Sequence, residues 1–95
     1  MAELIAMAAT RAILGWLKNR YIDWATLNRF KAEYDSLPDK RRRPGPKLRK
    51  AIRALESGSA EDARDTIKEL SDELLDIGGG WLRIGEALAE ALSCL

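Results

Sequence analysis

The sequence contains no histidine, no valine and a single cysteine, Cys94. Histidine is the usual general base near neutral pH and the commonest metal ligand, so its absence argues against both kinds of site. One cysteine excludes a disulfide bond within the chain, a pattern that suits a reducing compartment and predicts a cytoplasmic protein. The lack of valine, together with the lack of sustained apolar–polar alternation, argues against β-strands.

Sequence motifs that carry chemistry are also missing. There is no Glu-x-x-His, Cys-x-x-Cys or calcium-loop pattern, and Gly78-Gly79-Gly80 lacks the lysine and the preceding strand of a phosphate-binding loop. The apolar start of the chain carries Glu3 and Arg11 and has no basic leading region, so we do not expect a signal peptide. No apolar window approaches the length of about 18 residues that a membrane span requires. We therefore expect a non-enzyme without cofactor, metal site or membrane association.

The chain has 95 residues, of which 46% are hydrophobic and 33% charged, and a formal net charge of +1. This composition is typical of one soluble domain, predicted to span residues 1–95. The near-zero net charge argues against a globally basic nucleic-acid binder and a globally acidic DNA mimic, so an electrostatic function has to be local.

Alanine, leucine, glutamate, lysine and arginine dominate, and apolar residues recur every three or four positions. This pattern predicts an all-α fold, a compact bundle of four to five helices with a central antiparallel helical hairpin. Asp23 is expected to cap a new helix, although one continuous helix through this point is the alternative. The hairpin turns at Gly58 and Ser59. The five predicted helices span about Ala2 to Tyr21, Trp24 to Ser36, Pro46 to about Glu56, Ser59 to Ile77, and Trp81 to Leu95.

Apolar periodicity also predicts which helix faces are buried. We expect the tryptophans to pack in the core, with interface anchoring as the alternative. The predicted main apolar face of the first helix consists of Ile5, Ala9, Ala12, Ile13 and Trp16. The predicted core face of the last helix consists of Trp81, Ile84, Leu88, Ala91, Leu92 and Leu95.

Half of the basic residues lie in one stretch, which we term the basic segment: Lys40, Arg41, Arg42, Arg43, Lys47, Arg49, Lys50 and Arg53. Such a segment can contact nucleic-acid phosphates, but short basic runs also occur as localisation or protein-docking patches. No aromatic residue lies between positions 35 and 80, so base stacking within the segment is excluded. The long proline-containing connection does not match the short turn of a helix-turn-helix motif.

The fourth predicted helix carries seven carboxylates on one face, which we term the acidic ridge: Glu61, Asp62, Asp65, Glu69, Asp72, Glu73 and Asp76. Like charges four residues apart destabilise an isolated helix by a few tenths of a kcal/mol per pair. Two interpretations remain open. The ridge is either a solvated face screened by arginines of the third helix, the commoner origin of charge runs, or a docking surface for a basic partner.

The first and last helices are apolar on more than one side, which predicts an interface within a homodimer or with another protein. The candidate apolar interface consists of Leu4, Met7, Leu14, Leu17, Leu82 and Leu92. The leading functional hypothesis is a small adaptor or inhibitor that binds another protein, such as a phage or mobile-element inhibitor of a host machine. The alternative is a binder of nucleic-acid phosphates that uses the basic segment.

Overall fold

A computed structural model describes residues 2–95; Met1 of the predicted domain lies outside the described residues. The described chain contains no strand and confirms the predicted all-α bundle. Its helices are α1 (Ala2–Asn19), α2 (Trp24–Ser36), α3 (Gly45–Ser57), α4 (Ala60–Ile77) and α5 (Leu82–Ser93), with a short 3₁₀ turn at Gly79–Trp81.

The break between α1 and α2 is confirmed, and its cause is local. The Asp23 carboxylate accepts hydrogen bonds from the Thr26 backbone N–H at 3.2 Å and from the Thr26 hydroxyl at 2.6 Å. The first of these bonds satisfies an N–H group that the first turn of α2 leaves without a helical partner. Both bonds also lower the pKa of Asp23, the Thr26 hydroxyl contributing most. The first helix ends at Asn19, two residues earlier than predicted, and Arg20 follows with a left-handed φ of 57°.

The buried face of α1 differs from the predicted one. Ala9 and Ile13 are buried as expected, but the stripe continues through Ala6, Thr10 and Leu17. Ile5, Ala12 and Trp16 are only partly buried. A buried threonine is tolerated because the Thr10 hydroxyl donates a 2.7 Å hydrogen bond to the Ala6 carbonyl. Because α1 has apolar residues on several sides, its sequence does not determine which side is buried.

The α3–α4 hairpin is the best-predicted part of the fold. Gly58 adopts a left-handed φ of 75° after α3, and the Ser59 hydroxyl accepts a hydrogen bond from the Asp62 N–H to begin α4. Helix α3 starts at Gly45 rather than Pro46, because the Pro44 carbonyl already accepts a hydrogen bond from the Leu48 N–H. Apolar periodicity predicts nine inward residues in the hairpin, and Ile77, the last of them, is only partly buried. The other eight are confirmed as buried: Leu48, Ala51, Ile52, Leu55, Ala63, Ile67, Leu70 and Leu74.

Glycine at position 85 allows α5 to pack closely on α4. A Cβ atom at Gly85 would lie 3.1 Å from both the Leu74 Cβ and the Leu75 backbone nitrogen. The buried Ser71 hydroxyl donates a 2.8 Å hydrogen bond to the Gly85 carbonyl at the same contact. Together these contacts fix the α4–α5 pair.

Two predictions of core packing are wrong. Leu95 is 42% exposed because α5 ends at Ser93, before its core stripe reaches this residue. Trp24 is 38% exposed because it is the first residue of α2, whereas Leu27 and Phe30 turn inward. Trp16 and Trp81 pack against the core while remaining partly accessible.

Candidate interaction surfaces

The α3–α4 hairpin places part of the basic segment beside part of the acidic ridge. The hydrophobic stripes of both helices face the core, so their charged sides meet at the outer edge of the helix pair. The ammonium group of Lys50 lies 3.1 Å from the Glu69 carboxylate, and that of Lys47 lies 3.8 Å away. The hydrogen bond from Lys50 is the main reason that the pKa of Glu69 is lowered. These pairs neutralise the middle of the acidic ridge.

The C-terminal end of the ridge is neutralised from the loop before α3. The Arg43 guanidinium donates hydrogen bonds to Glu73 through Nε and to Asp76 through Nη2, the latter at 2.6 Å. These carboxylates are three residues apart on α4, so one planar guanidinium reaches both. The contacts, chiefly that with Glu73, raise the pKa of Arg43 above its ordinary value. Arg43 thus joins the loop to α4 and offsets the repulsion between two acidic side chains.

A different member of the basic segment faces α2. Arg49 lies 3.6 Å from the Asp35 carboxylate and 3.9 Å from the carboxylate of Glu56. Glu56 also accepts a 2.6 Å hydrogen bond from Lys31 of α2. Arg49 therefore fastens α3 to α2 and does not screen the acidic ridge, contrary to the predicted role of the third-helix arginines.

The remaining charges of the two sets are uncompensated. Within residues 2–95, four carboxylates of the acidic ridge lie beyond 4.0 Å from any cationic nitrogen: Glu61, Asp62, Asp65 and Asp72. In the same part of the chain, four cations of the basic segment have no such carboxylate partner: Lys40, Arg41, Arg42 and Arg53. All eight side chains are exposed. The tertiary structure therefore divides each charge run into a paired part and a free part.

A groove of about 380 Å³ lies between α4 and α5. Its walls carry Asp65, Lys68 and Asp72 on α4, and Ala89 and Leu92 on α5. The Ser71 side chain, which bonds to the Gly85 carbonyl, lies at its base. The groove therefore has two apolar residues on its α5 wall and charges of both signs on its α4 wall.

The same two helices carry two exposed leucines that are not part of the groove lining. Leu75 is 36% exposed and its Cδ2 reaches within 3.3 Å of the Cβ position at Gly85, while Leu82 is 40% exposed. Leu82 precedes Gly85 by three residues, which places it on the same side of α5, toward Leu75. Leu75 was not identified from the sequence, because it lies outside the main apolar stripe of α4.

The structure divides the predicted apolar interface. Leu4 and Leu82 are exposed, at 65% and 40%, and Met7 and Leu14 are partly buried. Leu17 and Leu92 are only 4% and 9% exposed, which corrects their assignment to an intermolecular surface. Both residues belong to the chain's own core, since α1 packs against α5 along this side.

No family model, curated protein or solved structure matches this chain. Among the described residues, no helix is long and apolar enough to cross a membrane. In residues 2–95, no three histidine, cysteine, aspartate or glutamate side chains are arranged to hold a metal ion. The functional proposals below therefore depend on the chain's own geometry.

Proposed function

We propose that this chain is a non-enzymatic helical adaptor or inhibitor that binds another protein through its α4–α5 face. The observation that carries the proposal is the exposure of Leu75 on α4 and Leu82 on α5, the two helices that also form the groove. Clustered exposed apolar side chains are a feature of protein-binding surfaces, whereas singly scattered ones are not informative.

The charges around the groove support this assignment and suggest the partner's chemistry. Asp65 and Asp72 border the groove and have no cationic partner among the described residues. A partner segment that presents apolar side chains to Leu75 and Leu82, and lysine or arginine to these carboxylates, complements the face. The apolar contacts supply most of the affinity, and the charges set orientation and association rate.

The internal ion pairs favour protein binding over the alternative of an extended phosphate-binding surface. Arg43, Lys47, Arg49 and Lys50 already contact carboxylates of the same chain. Phosphate contacts by these cations would require the existing pairs to break or to be shared. Only four of the eight cations in the basic segment therefore remain free to contact phosphates.

The proposal is tested by a comparison of two double variants. Leu75→Gln/Leu82→Gln removes the apolar face, and Tyr21→Ser/Leu95→Gln removes two exposed apolar side chains from other positions. Each protein is immobilised, and bound proteins are identified and then titrated in purified form by calorimetry. We expect a partner that binds wild type and the control pair but loses at least about tenfold in affinity for the first variant.

Sedimentation equilibrium of the same proteins tests the predicted homodimer. If two copies pair through this face, wild type and the control pair sediment as dimers and the Leu75/Leu82 variant as a monomer. Equal recovery of bound proteins by both variants, with unchanged self-association, would contradict the use of the α4–α5 face. Circular dichroism verifies that each variant remains helical.

A further inference from the structure

The loop between α2 and α3 is held in place at several points. The Tyr34 hydroxyl donates a hydrogen bond to the Lys40 carbonyl, and the Arg41 N–H donates one to the Asp39 carboxylate at 3.1 Å. Further along, Arg43 is bound to the carboxylates of α4. A Cβ atom at Gly45 would approach the Tyr34 ring to 2.8 Å, which shows how closely the end of the loop packs. These contacts tie the loop to α2 and α4.

This anchoring leaves three consecutive cations directed to solvent. Lys40, Arg41 and Arg42 are exposed, and among residues 2–95 none lies within 4.0 Å of a carboxylate oxygen. Consecutive Cα atoms are about 3.8 Å apart, so the three side chains leave the backbone close together. The nearest anchored cation, Arg43, has its own charge compensated by α4. The loop therefore presents three side-chain cations without ion pairs, with the Asp39 carboxylate beside the Arg41 backbone.

The tertiary structure also brings aromatic rings to this surface. Arg42 lines a cavity of about 110 Å³ together with Tyr34 of α2 and Trp81 of the 3₁₀ turn. Trp81 is partly accessible, and Glu3 of α1 also lines the cavity. The basic segment itself contains no aromatic residue, so this combination of cation and ring arises only through folding.

We propose that this surface, formed by Lys40, Arg41, Arg42 and Trp81, binds single-stranded nucleic acid. The three cations contact backbone phosphates, and the indole ring of Trp81 stacks on one base. Positive charge beside an aromatic ring is the common design of single-strand binding surfaces. Specific recognition of a duplex requires a helix or β-ribbon that enters a groove of the DNA. A loop with three cations does not provide such an element. This inference concerns a different face from the proposed α4–α5 protein site.

The first experiment is a fluorescence-anisotropy titration of a labelled oligothymidine of about 20 nucleotides. Three phosphate contacts predict a slope of about −2 for log K against log salt concentration on a single strand. Raising the salt from about 50 to about 200 mM then weakens binding by roughly 20-fold. A duplex of the same length is expected to bind more weakly than the single strand at each salt concentration.

Two matched variants distinguish an effect of the loop cations from an effect of the protein's net charge. Arg41→Glu/Arg42→Glu should reduce affinity at low salt by at least about tenfold and bring the slope to between about −0.7 and zero. Arg11→Glu/Lys18→Glu makes the same change in net charge on exposed positions of α1 and should retain the wild-type slope. A variant of the ring, Trp81→Leu, should reduce single-strand affinity with little change in slope, since stacking releases no counterions.

Three outcomes would overturn the proposal. They are absence of wild-type binding at low salt, equal loss in both charge-reversal variants, and displacement of the oligonucleotide by an equal concentration of polyglutamate. The last outcome assigns the loop to an acidic protein partner instead. The Leu75→Gln/Leu82→Gln variant should bind the oligonucleotide normally, so failure of either proposal is distinguishable from failure of the other.

Discussion

The Ser71 hydroxyl donates a 2.8 Å hydrogen bond to the Gly85 carbonyl and thereby connects α4 to α5 inside the protein. Both residues are buried, and a Cβ atom at Gly85 would lie only 3.1 Å from Leu74 and Leu75 of α4. The bond supports the base of the α4–α5 groove. The stability of this helix pair is therefore linked to the proposed protein-binding face.

Replacing Ser71 by alanine is expected to lower the free energy of unfolding by about 1 kcal/mol. The substitution removes the buried hydrogen bond between the helices and leaves the Gly85 carbonyl with fewer donors. Urea denaturation followed by circular dichroism measures the change. Ser93→Ala serves as the control, because Ser93 is exposed and donates only to the Glu90 carbonyl of its own helix. A loss in the control as large as that in Ser71→Ala would show that the contact between helices adds nothing.

Alanine substitutions at Gly85 and Gly15 should have opposite effects. At Gly85 the new Cβ atom meets the Leu74 Cβ and the Leu75 backbone at 3.1 Å, and neither is the free end of a flexible side chain. The resulting overpacking of about 1–3 kcal/mol offsets the gain in helix propensity of about 1 kcal/mol, so we expect a net destabilisation of up to about 2 kcal/mol. At Gly15 nothing lies within 4 Å, so alanine should stabilise α1 by about 0.5–1 kcal/mol.

The melting temperatures of the two glycine variants provide the comparison. Stabilisation by both substitutions would mean that α4 and α5 separate easily to accommodate the methyl group. In that case the close approach at Gly85 would not determine the geometry of the groove.

The N-cap of α2 should make stability depend on pH in the acid range. Because hydrogen bonds lower the pKa of Asp23 in the folded state, the carboxylate stabilises the fold above its ordinary pKa of about 4. This contribution is lost as the pH falls through the lowered folded-state pKa. Asp23→Asn retains a good N-cap but does not titrate, so its stability should decrease less than that of wild type between about pH 5 and pH 3.

Urea midpoints measured at several pH values test this difference. Glu69, whose pKa is also lowered, titrates in both proteins and so does not contribute to the comparison. Parallel curves for wild type and Asp23→Asn would contradict the assigned role of the carboxylate.

Removing Arg43 should lower the melting temperature by a few degrees at low salt. Arg43→Ala leaves Glu73 and Asp76 without their shared cation and releases the loop from α4. The effect is modest because the Arg43 side chain is half exposed, and it should decrease at about 1 M salt. Arg41→Ala is the control, since the Arg41 side chain has no carboxylate within ion-pairing distance in the described chain. Equal shifts in the two variants, at either salt concentration, would contradict a specific tie through Arg43.

The helix boundaries and the hairpin were predictable because their signals act over a few residues. Asp23 and Ser59 cap helices through N–H groups three positions along the chain, and Gly58 supplies a left-handed residue after α3. The apolar stripes of α3 and α4 were equally clear, since each has charged residues on its other side. The α1 face was not, because Leu17 and Ile5 lie on different apolar sides, and the side predicted as the main face, with Ile5, is not the one that is fully buried.

The sequence by itself determined an all-α chain, its breaks, the inward faces of the hairpin and the presence of two opposite charge runs. Tertiary structure alone decided that Arg43 pairs with Glu73 and Asp76, residues 30 and 33 positions away, and left Arg41 and Arg42 free. It also placed Leu75 beside Gly85 and Trp81 beside Arg42. Caps and stripes follow from hydrogen bonds and periodicity within one helix, whereas these contacts depend on how separate helices pack around a common core.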